Sequence, residues 1–301
     1  MTTHDAQTRG AQGQPATGQG AVTGTPDEVL RSILQNLTYE VMPFKGTEEK
    51  VTSLVPTSTR ITVTASPGKT LDDTVGLAVR LTEQGYTVAP HLSARMLKDR
   101  AELTDIVARL GEAGVPTLFV VGGDADQAGE FYDALDVLRA LDEIGHHFTD
   151  IGVGGYPEGH AAISDDQLWK ALEEKSRYAH HIATQVCFDA GTTVAWAREA
   201  KRRGIDLPIR VGMPGAVSRQ KLMRVTAKIG LGDSARFLKK QQGMLWKFFT
   251  PGGYSPNKLV RGLKPHLGDA DVNLRGFHIF TFNDVEGTEA WRQKLLRGLE
   301  R

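Results

Sequence analysis

Polar side chains that can carry out chemistry recur where β-rich runs of the sequence end. Glu40, His91, Asp124 and Gln185 supply two carboxyl groups, an imidazole and an amide. Structural roles are the alternative: an ion-paired carboxylate for Glu40, a core histidine for His91 and a turn for Asp124. Gln185 stands in an apolar run, where a buried amide is unfavourable unless its hydrogen bonds are made. Polar groups that arrive from separate stretches of chain predict a ligand pocket.

The spacing of the residues argues against two other kinds of site, a metal site and a dinucleotide-binding site. His91, Asp124, His160 and His278 are the residues that could converge on a metal ion for hydrolysis. The chain has neither HxH nor HExxH spacing, and its adjacent histidine pairs cannot face one direction, so we expect no metal site. Residues 152–157 begin like the dinucleotide-binding motif GxGxxG but end in proline, which disfavours a Rossmann fold.

The elements that must position these groups alternate between strand and helix. Leu103, Ile106, Val107 and Leu110, for example, follow the spacing of one helix face. The eight predicted strands are Leu37–Val41, Ile61–Thr64, Tyr86–Leu92, Thr117–Val121, Asp150–Val153, Ile182–Val186, Ile209–Val211 and Phe277–Phe280. Eight such alternations predict an α/β fold, a (β/α)8 TIM barrel with its site at the C-terminal ends of the strands, rather than an open doubly wound sheet.

The ends of the chain differ in composition. Residues 1–25 contain no Leu, Ile or Phe and are rich in small and polar residues, which predicts a disordered tail. Residues 26–301 are then expected to form a single barrel domain. The less regular stretch 230–267 is expected to add helices between the seventh and eighth strands.

The charge balance and the cysteine content of the chain limit its binding partners and its disulfide bonds. Lys and Arg number 36 and Asp and Glu also number 36, so the chain has no overall electrostatic reason to bind nucleic acid or an anionic membrane. Cys187 stands alone, so an internal disulfide is excluded and a small buried side chain is expected. We expect a cytoplasmic protein without a membrane span, bound to a small molecule, in which an uncovered helix face could support a homo-oligomer.

The strand-end motifs resemble, in order over roughly residues 36–285, those of the methylenetetrahydrofolate reductase family. The sequence has YEVMP at 39–43 for the family's FEFFPP, APHL at 89–92 for APHLT, and GD at 123–124 for RGD. It has GYPEGH at 155–160 for AYPExH, ATQ with FD at 183–189 for ITQxxFD, PG at 214–215 for PGI, and HIFTFN at 278–283 for HFYTLN. ITVT at 61–64 is similar to the family's second strand.

The resemblance implies a barrel that transfers a hydride from NAD(P)H, through FAD, to 5,10-methylenetetrahydrofolate. Ring opening to an iminium at N5 needs a proton on N10, and the resemblance assigns Glu40 the role of general acid. A barrel interior can raise the pKa of such an acid by desolvation. Asp124 and Gln185 match pterin-binding positions, and an aspartate there could also stabilise the cation.

The flavin site implied by the resemblance is only partly retained. Five residues match its lining: Thr64, His91, Tyr156, His160 and Lys175. Gly122 replaces the arginine of RGD, and Leu168 and Ala171 replace polar residues before the lysine. Charge-assisted hydrogen bonds contribute about 1.5–3 kcal/mol each. We therefore expect a divergent member that binds FAD weakly, or that passes the hydride directly from NAD(P)H to the folate.

Other functions remain open from the sequence. A non-catalytic folate- or flavin-binding protein on a reductase-like barrel is one, although Glu40 argues against it because binding alone needs no proton donor. A metal-dependent hydrolase is another. Physiological flux could also run in reverse, and the sequence does not distinguish NADH from NADPH.

Overall fold

The structure is a computed structural model that describes residues 24–66, 68–124, 129–160, 163–217 and 255–300. Eight parallel strands form a closed barrel in which each strand pairs with the next along the chain and β8 pairs with β1. The strands are β1 Thr38–Val41, β2 Arg60–Val63, β3 Val88–Ser93, β4 Thr117–Val121, β5 Asp150–Gly155, β6 His181–Thr184, β7 Ile209–Pro214 and β8 Leu274–Phe280. The predicted (β/α)8 barrel is confirmed, and each predicted run overlaps one strand.

Helices surround the barrel. They are α1 Pro26–Gln35, α2 Thr47–Leu54, α3 Leu71–Glu83, α4 Arg100–Glu112, α5 Ala134–Ile144, α6 Asp165–Lys175, α7 Ala190–Arg202, α8 Pro256–Leu263 and α9 Val285–Gly298. Thr25, Thr70 and Ser164 begin α1, α3 and α6 with capping boxes, which satisfy backbone N–H groups at the helix starts. Of these described helices, none has the length and apolar content needed to cross a membrane.

Two sequence predictions concern parts of the chain outside the described residues. The predicted tail, residues 1–25, falls there except for its last two residues, and Thr25 caps α1. Most of the stretch 230–267 also falls there. Its described end contains α8, which lies between β7 and β8 as expected.

The large apolar core lies between the strands and the helices, and the barrel interior combines polar side chains with a small apolar cluster. Alternate residues of a strand face opposite sides, so each strand contributes to both regions. A second, small apolar cluster joins Ala89, Phe119 and Ala183. These residues come from β3, β4 and β6, and a contact between the non-adjacent β4 and β6 passes through the interior of the barrel. The remaining inward positions are left for polar and small residues.

A charged network closes the N-terminal end of the barrel. Asp150 Oδ1 lies 2.6 Å from His181 Nδ1, and Asp150 Oδ2 accepts from Arg210 at 2.9 Å and from Arg60 at 3.2 Å. Arg210 also lies 2.9 Å from His181 Nε2. A guanidinium only donates and a carboxylate only accepts, so His181 is neutral with its proton on Nδ1. Burial and the charge of Arg210 lower the pKa of His181 to about 4.

A second buried network ties β1 to the last described helix. Tyr39 donates to Glu289 Oε2 at 2.8 Å, and Arg292 binds both oxygens of Glu289 at 2.8 Å. Arg292 also donates to the carbonyl oxygen of Leu34 at 3.1 Å. Burial and the charge of Glu289 raise the pKa of Tyr39, so the hydroxyl group stays protonated. Because Tyr39 points outward, this network fixes β1 while its neighbour Glu40 points into the barrel.

Candidate active site

Glu40 is the centre of the polar interior. It is the third residue of β1, and its side chain is 14% exposed. His278 of β8 places Nε2 at 3.1 Å from Glu40 Oε2, and His91 of β3 places Nε2 at 3.8 Å from the same oxygen. The strands thus bring together one carboxyl group and two imidazoles that are far apart in the sequence.

His91 is a buried imidazole with an unfilled hydrogen-bonding position. Its ring stacks on Phe119 with centroids 4.7 Å apart, and its Nε2 atom makes no hydrogen bond within the described part of the chain. Burial lowers the pKa of His91 to about 4, although the nearby Glu40 carboxylate opposes the shift. His91 is therefore neutral near pH 7, and it presents a polar atom to whatever occupies the space beside Glu40.

The backbone around Glu40 is clamped by residues that follow β8. Thr281 donates its hydroxyl group to the carbonyl oxygen of Glu40 at 2.6 Å. The Asn283 amide accepts from Met42 N at 2.8 Å and donates to Met42 O at 3.0 Å and to the Thr47 hydroxyl at 2.8 Å. These bonds join the end of β1 to the end of β8, so the position of Glu40 depends on both strands.

Asp124 and Tyr156 are neighbours at the C-terminal end of the barrel. Asp124 is exposed and follows β4, and Tyr156 follows β5 directly. Burial raises the pKa of the Tyr156 hydroxyl, and the charge of Asp124 raises it further. Tyr156 also meets the ring of His160 edge-on, with centroids 5.5 Å apart. Three of the residues selected from the sequence therefore form one group above β4 and β5.

The remaining residues selected from the sequence, Gln185, Thr64 and Lys175, lie at the ends of β6, β2 and α6. Gln185, just past β6, turns its side chain back so that Oε1 accepts from Val186 N at 2.9 Å. Thr64, just past β2, is half-buried, and its hydroxyl lies 3.4 Å from the carbonyl oxygen of Ala65. Lys175 ends α6. Burial lowers the pKa of its ammonium group, and Asp133 opposes the shift.

The interpretation as a metal-dependent hydrolase gains no support from these positions. In the described ranges, no group of three or more His, Cys, Asp or Glu side chains is arranged to hold a metal ion. Cys187 is buried as predicted, and burial raises the pKa of its thiol to about 11. At neutral pH this thiol is protonated and is a poor nucleophile.

His278 and Phe119 contribute to the site in ways that the sequence does not predict. The sequence predicts for His278 only a potential metal-ligand role and a place in the HIFTFN motif, whereas within the described residues it is the side chain that hydrogen-bonds to the Glu40 carboxyl group. Because side chains alternate between the two faces of a strand, the sequence does place His278 and Phe280 on the same face of β8. Which inward residues of β1 and β8 meet depends on the stagger of the closed barrel, which alternation alone does not give.

The fold agrees with a known barrel structure. The structure of 2,3-dimethylmalate lyase, a member of the PEP mutase/isocitrate lyase superfamily, aligns with a TM-score of 0.51 at 11% sequence identity, over 93% of this chain and 88% of that one. At this identity the likeness concerns the fold alone. Fold and interior together define a (β/α)8-barrel protein whose polar site opens at the C-terminal ends of the strands.

Sequence comparison identifies the family. Methylenetetrahydrofolate reductase 1 of Schizosaccharomyces pombe (strain 972 / ATCC 24843) is 31% identical in an alignment of 117 residues that covers 35% of this chain and 19% of that protein. The match thus spans about a fifth of the curated relative. A profile of methylenetetrahydrofolate reductase matches residues 35–230, roughly two-thirds of the chain. The chain therefore belongs to the methylenetetrahydrofolate reductase family.

Proposed function

We propose that the protein reduces 5,10-methylenetetrahydrofolate to 5-methyltetrahydrofolate with a hydride from NAD(P)H. The observation that carries the proposal is the setting of Glu40: a carboxyl group inside the barrel, hydrogen-bonded through one oxygen to His278 at 3.1 Å. Reduction of a bridged folate requires a positioned proton donor, whereas simple binding of the folate does not.

The proposed reaction balances with the groups named. The O–H proton of Glu40 moves to N10 as the bond between the methylene carbon and N10 breaks, and the electron pair of that bond stays on N10. The methylene carbon then belongs to an iminium cation at N5. Hydride from the reduced nicotinamide adds to this carbon and leaves a methyl group on N5 and the oxidised nucleotide. Glu40 regains a proton from solvent before the next turnover.

Asp124 and Gln185 are proposed to bind the pterin. The pterin edge carries an amino group and a ring N–H, which a carboxylate can accept, and an amide can both donate and accept. Asp124 is exposed at the mouth of the barrel, where its negative charge would also favour a nearby iminium cation. The Gln185 side chain would have to exchange its contact with Val186 N for the ligand.

The residues present do not fit the whole of FAD. Members of this family generally use FAD and NAD(P)H. Here Leu168 and Ala171 lie half-buried on one face of α6 without a polar side-chain atom, and Gly122 follows β4 without a side chain. Among the flavin-site positions matched in the described residues, Thr64, His91, Tyr156, His160 and Lys175 keep polar side chains, whereas positions 122, 168 and 171 offer no side-chain donor or acceptor. No step of the proposed reaction passes through FAD, and this donor set supports direct transfer from NAD(P)H.

The test is anaerobic oxidation of NADH and of NADPH by the purified protein with 5,10-methylenetetrahydrofolate, with and without added FAD. We expect one of the nucleotides to be consumed in step with 5-methyltetrahydrofolate formation, without a need for FAD. The visible spectrum of the purified protein reports bound flavin independently. No oxidation of either nucleotide under any of these conditions overturns the proposed reaction. A strict requirement for FAD overturns only the direct route, and assays from 5-methyltetrahydrofolate test the reverse direction.

A further inference from the structure

We propose that His278 is a positioning residue that holds Glu40 by its Oε2 atom, so that the Oε1 atom carries the transferable proton. This inference rests on the proposed function, in which Glu40 is the proton donor. It concerns a residue that touches Glu40 and is not required to touch the substrate itself.

The two oxygens of Glu40 are in different settings. His278 Nε2 lies 3.1 Å from Oε2, which is within hydrogen-bonding distance, and His91 Nε2 lies 3.8 Å from the same atom, which is not. Within the described part of the chain, no hydrogen bond reaches Oε1. The interior histidines therefore gather on one side of the carboxyl group, and the other oxygen is left for the substrate.

His278 is itself held in place. It is 2% exposed, and its ring meets Phe280 at 5.0 Å and Phe119 at 6.1 Å between centroids. In the register of β8 its backbone pairs with Gly212 on one side and with Thr38 on the other. A side chain packed between rings and strands in this way can fix the rotamer of Glu40 at little further cost in entropy.

The hydrogen bond also changes in strength during the proposed step. When Glu40 loses its proton it becomes a carboxylate, which only accepts hydrogen bonds, so His278 then donates from Nε2. Hydrogen bonds to an ionised group are stronger than those to a neutral one. His278 would therefore stabilise the charge that develops on Glu40 in the transition state, and its loss lowers kcat more than it weakens folate binding.

Two substitutions with the same functional group separate this role from packing. In His278→Gln the amide nitrogen can occupy the place of Nε2 and donate to Oε2. In His278→Asn the amide is one methylene shorter and does not reach. We expect His278→Asn to lower the single-turnover rate about 100-fold, with the folate Kd within about threefold of wild type, and His278→Gln to recover at least about tenfold of that loss. His146→Asn, an exposed histidine in the α5–β5 loop, is the matched control with a wild-type rate.

The outcomes are distinguishable. Equal rates for His278→Asn and wild type overturn the positioning role, as does a failure of His278→Gln to restore any rate when both variants have wild-type thermal unfolding. Should His278→Asn fail to fold, the rate and Kd of His278→Gln decide: we expect a modest loss in rate with an unchanged Kd, and an equal loss in both overturns the role. A wild-type protein that does not reduce the folate overturns the proposed function, and the role of His278 in that reaction with it.

Discussion

Gly212 lies against the carbonyl group of Thr184 so closely that a Cβ atom on residue 212 would stand 2.0 Å from the Thr184 oxygen. The same glycine donates its N–H to the Thr184 hydroxyl at 2.8 Å and accepts from Cys187 N at 2.8 Å. The absence of a side chain at position 212 thus lets β6 end beside β7, where Gln185 begins the next loop.

Gly212→Ala is expected to destabilise the protein by about 1–3 kcal/mol, because a backbone carbonyl cannot rotate away as a side chain can. Gly154→Ala in β5 is the matched control, since a Cβ atom there would meet the Tyr156 hydroxyl at an ordinary 3.7 Å. Urea unfolding of both variants measures the difference. Equal stabilities would show that the β6–β7 junction relaxes easily.

Glu40→Gln is expected to lower kcat by about 100-fold or more, because the amide keeps the shape of the side chain but has no acidic proton. Folate affinity should remain close to that of the wild type, since the proton transfer takes place after binding. Steady-state kinetics and equilibrium folate binding measure the two quantities separately. An equal loss of rate and affinity would contradict the role of Glu40 as an acid.

Asp150→Asn is expected to lower the free energy of unfolding by about 3 kcal/mol, because it leaves the guanidinium groups of Arg60 and Arg210 without their shared carboxylate. Asp72→Asn is the control: its ion pair with Arg109, at 2.6 Å, is at the surface and contributes less than about 1 kcal/mol. Denaturant titrations at neutral pH compare the two variants. A larger effect at Asp72 would contradict the importance of the buried network.

His91 makes stability depend on pH in a defined direction. Its folded pKa of about 4 lies below the ordinary value of 6.5, so the unfolded chain binds protons more readily between these values. Stability from the neutral imidazole is therefore complete above about pH 6.5 and is lost as the pH falls toward about 4. His91→Asn should reduce this loss by up to about 3 kcal/mol. Denaturant titrations of both proteins across this pH range measure the free energy of unfolding. The same pH dependence in the variant and the wild type would contradict the role of His91.

The barrel could be predicted from the sequence because its signals are local. Apolar runs bounded by glycines and polar turns mark each strand, and the amphipathic spacing of Leu103 to Leu110 marks α4. The strand ends were less accurate. The prediction extended β6 to Val186, but the ladder ends at Thr184 because the Gln185 side chain binds the Val186 N–H group. A side-chain bond that replaces a ladder bond has no periodic signature.

The arrangement of the site was harder to predict than its members. Glu40 and Asp124 stand out as polar residues at strand ends, but the partner of Glu40 is 238 residues away in β8. Only closure of the sheet, with its stagger between β1 and β8, brings His278 to that carboxyl group. The charged network of Asp150 and His181 at the opposite end likewise needs four strands in register.

The clamp between β1 and the residues after β8 has a consequence for biosynthesis. Thr281, Asn283 and Glu289, which fix the strand of Glu40, leave the ribosome more than 240 residues after it. A nascent polypeptide arrested before β8 would hold the acid in an unfinished, open sheet. The position of Glu40 would therefore be set in a single late folding step, when β8 inserts.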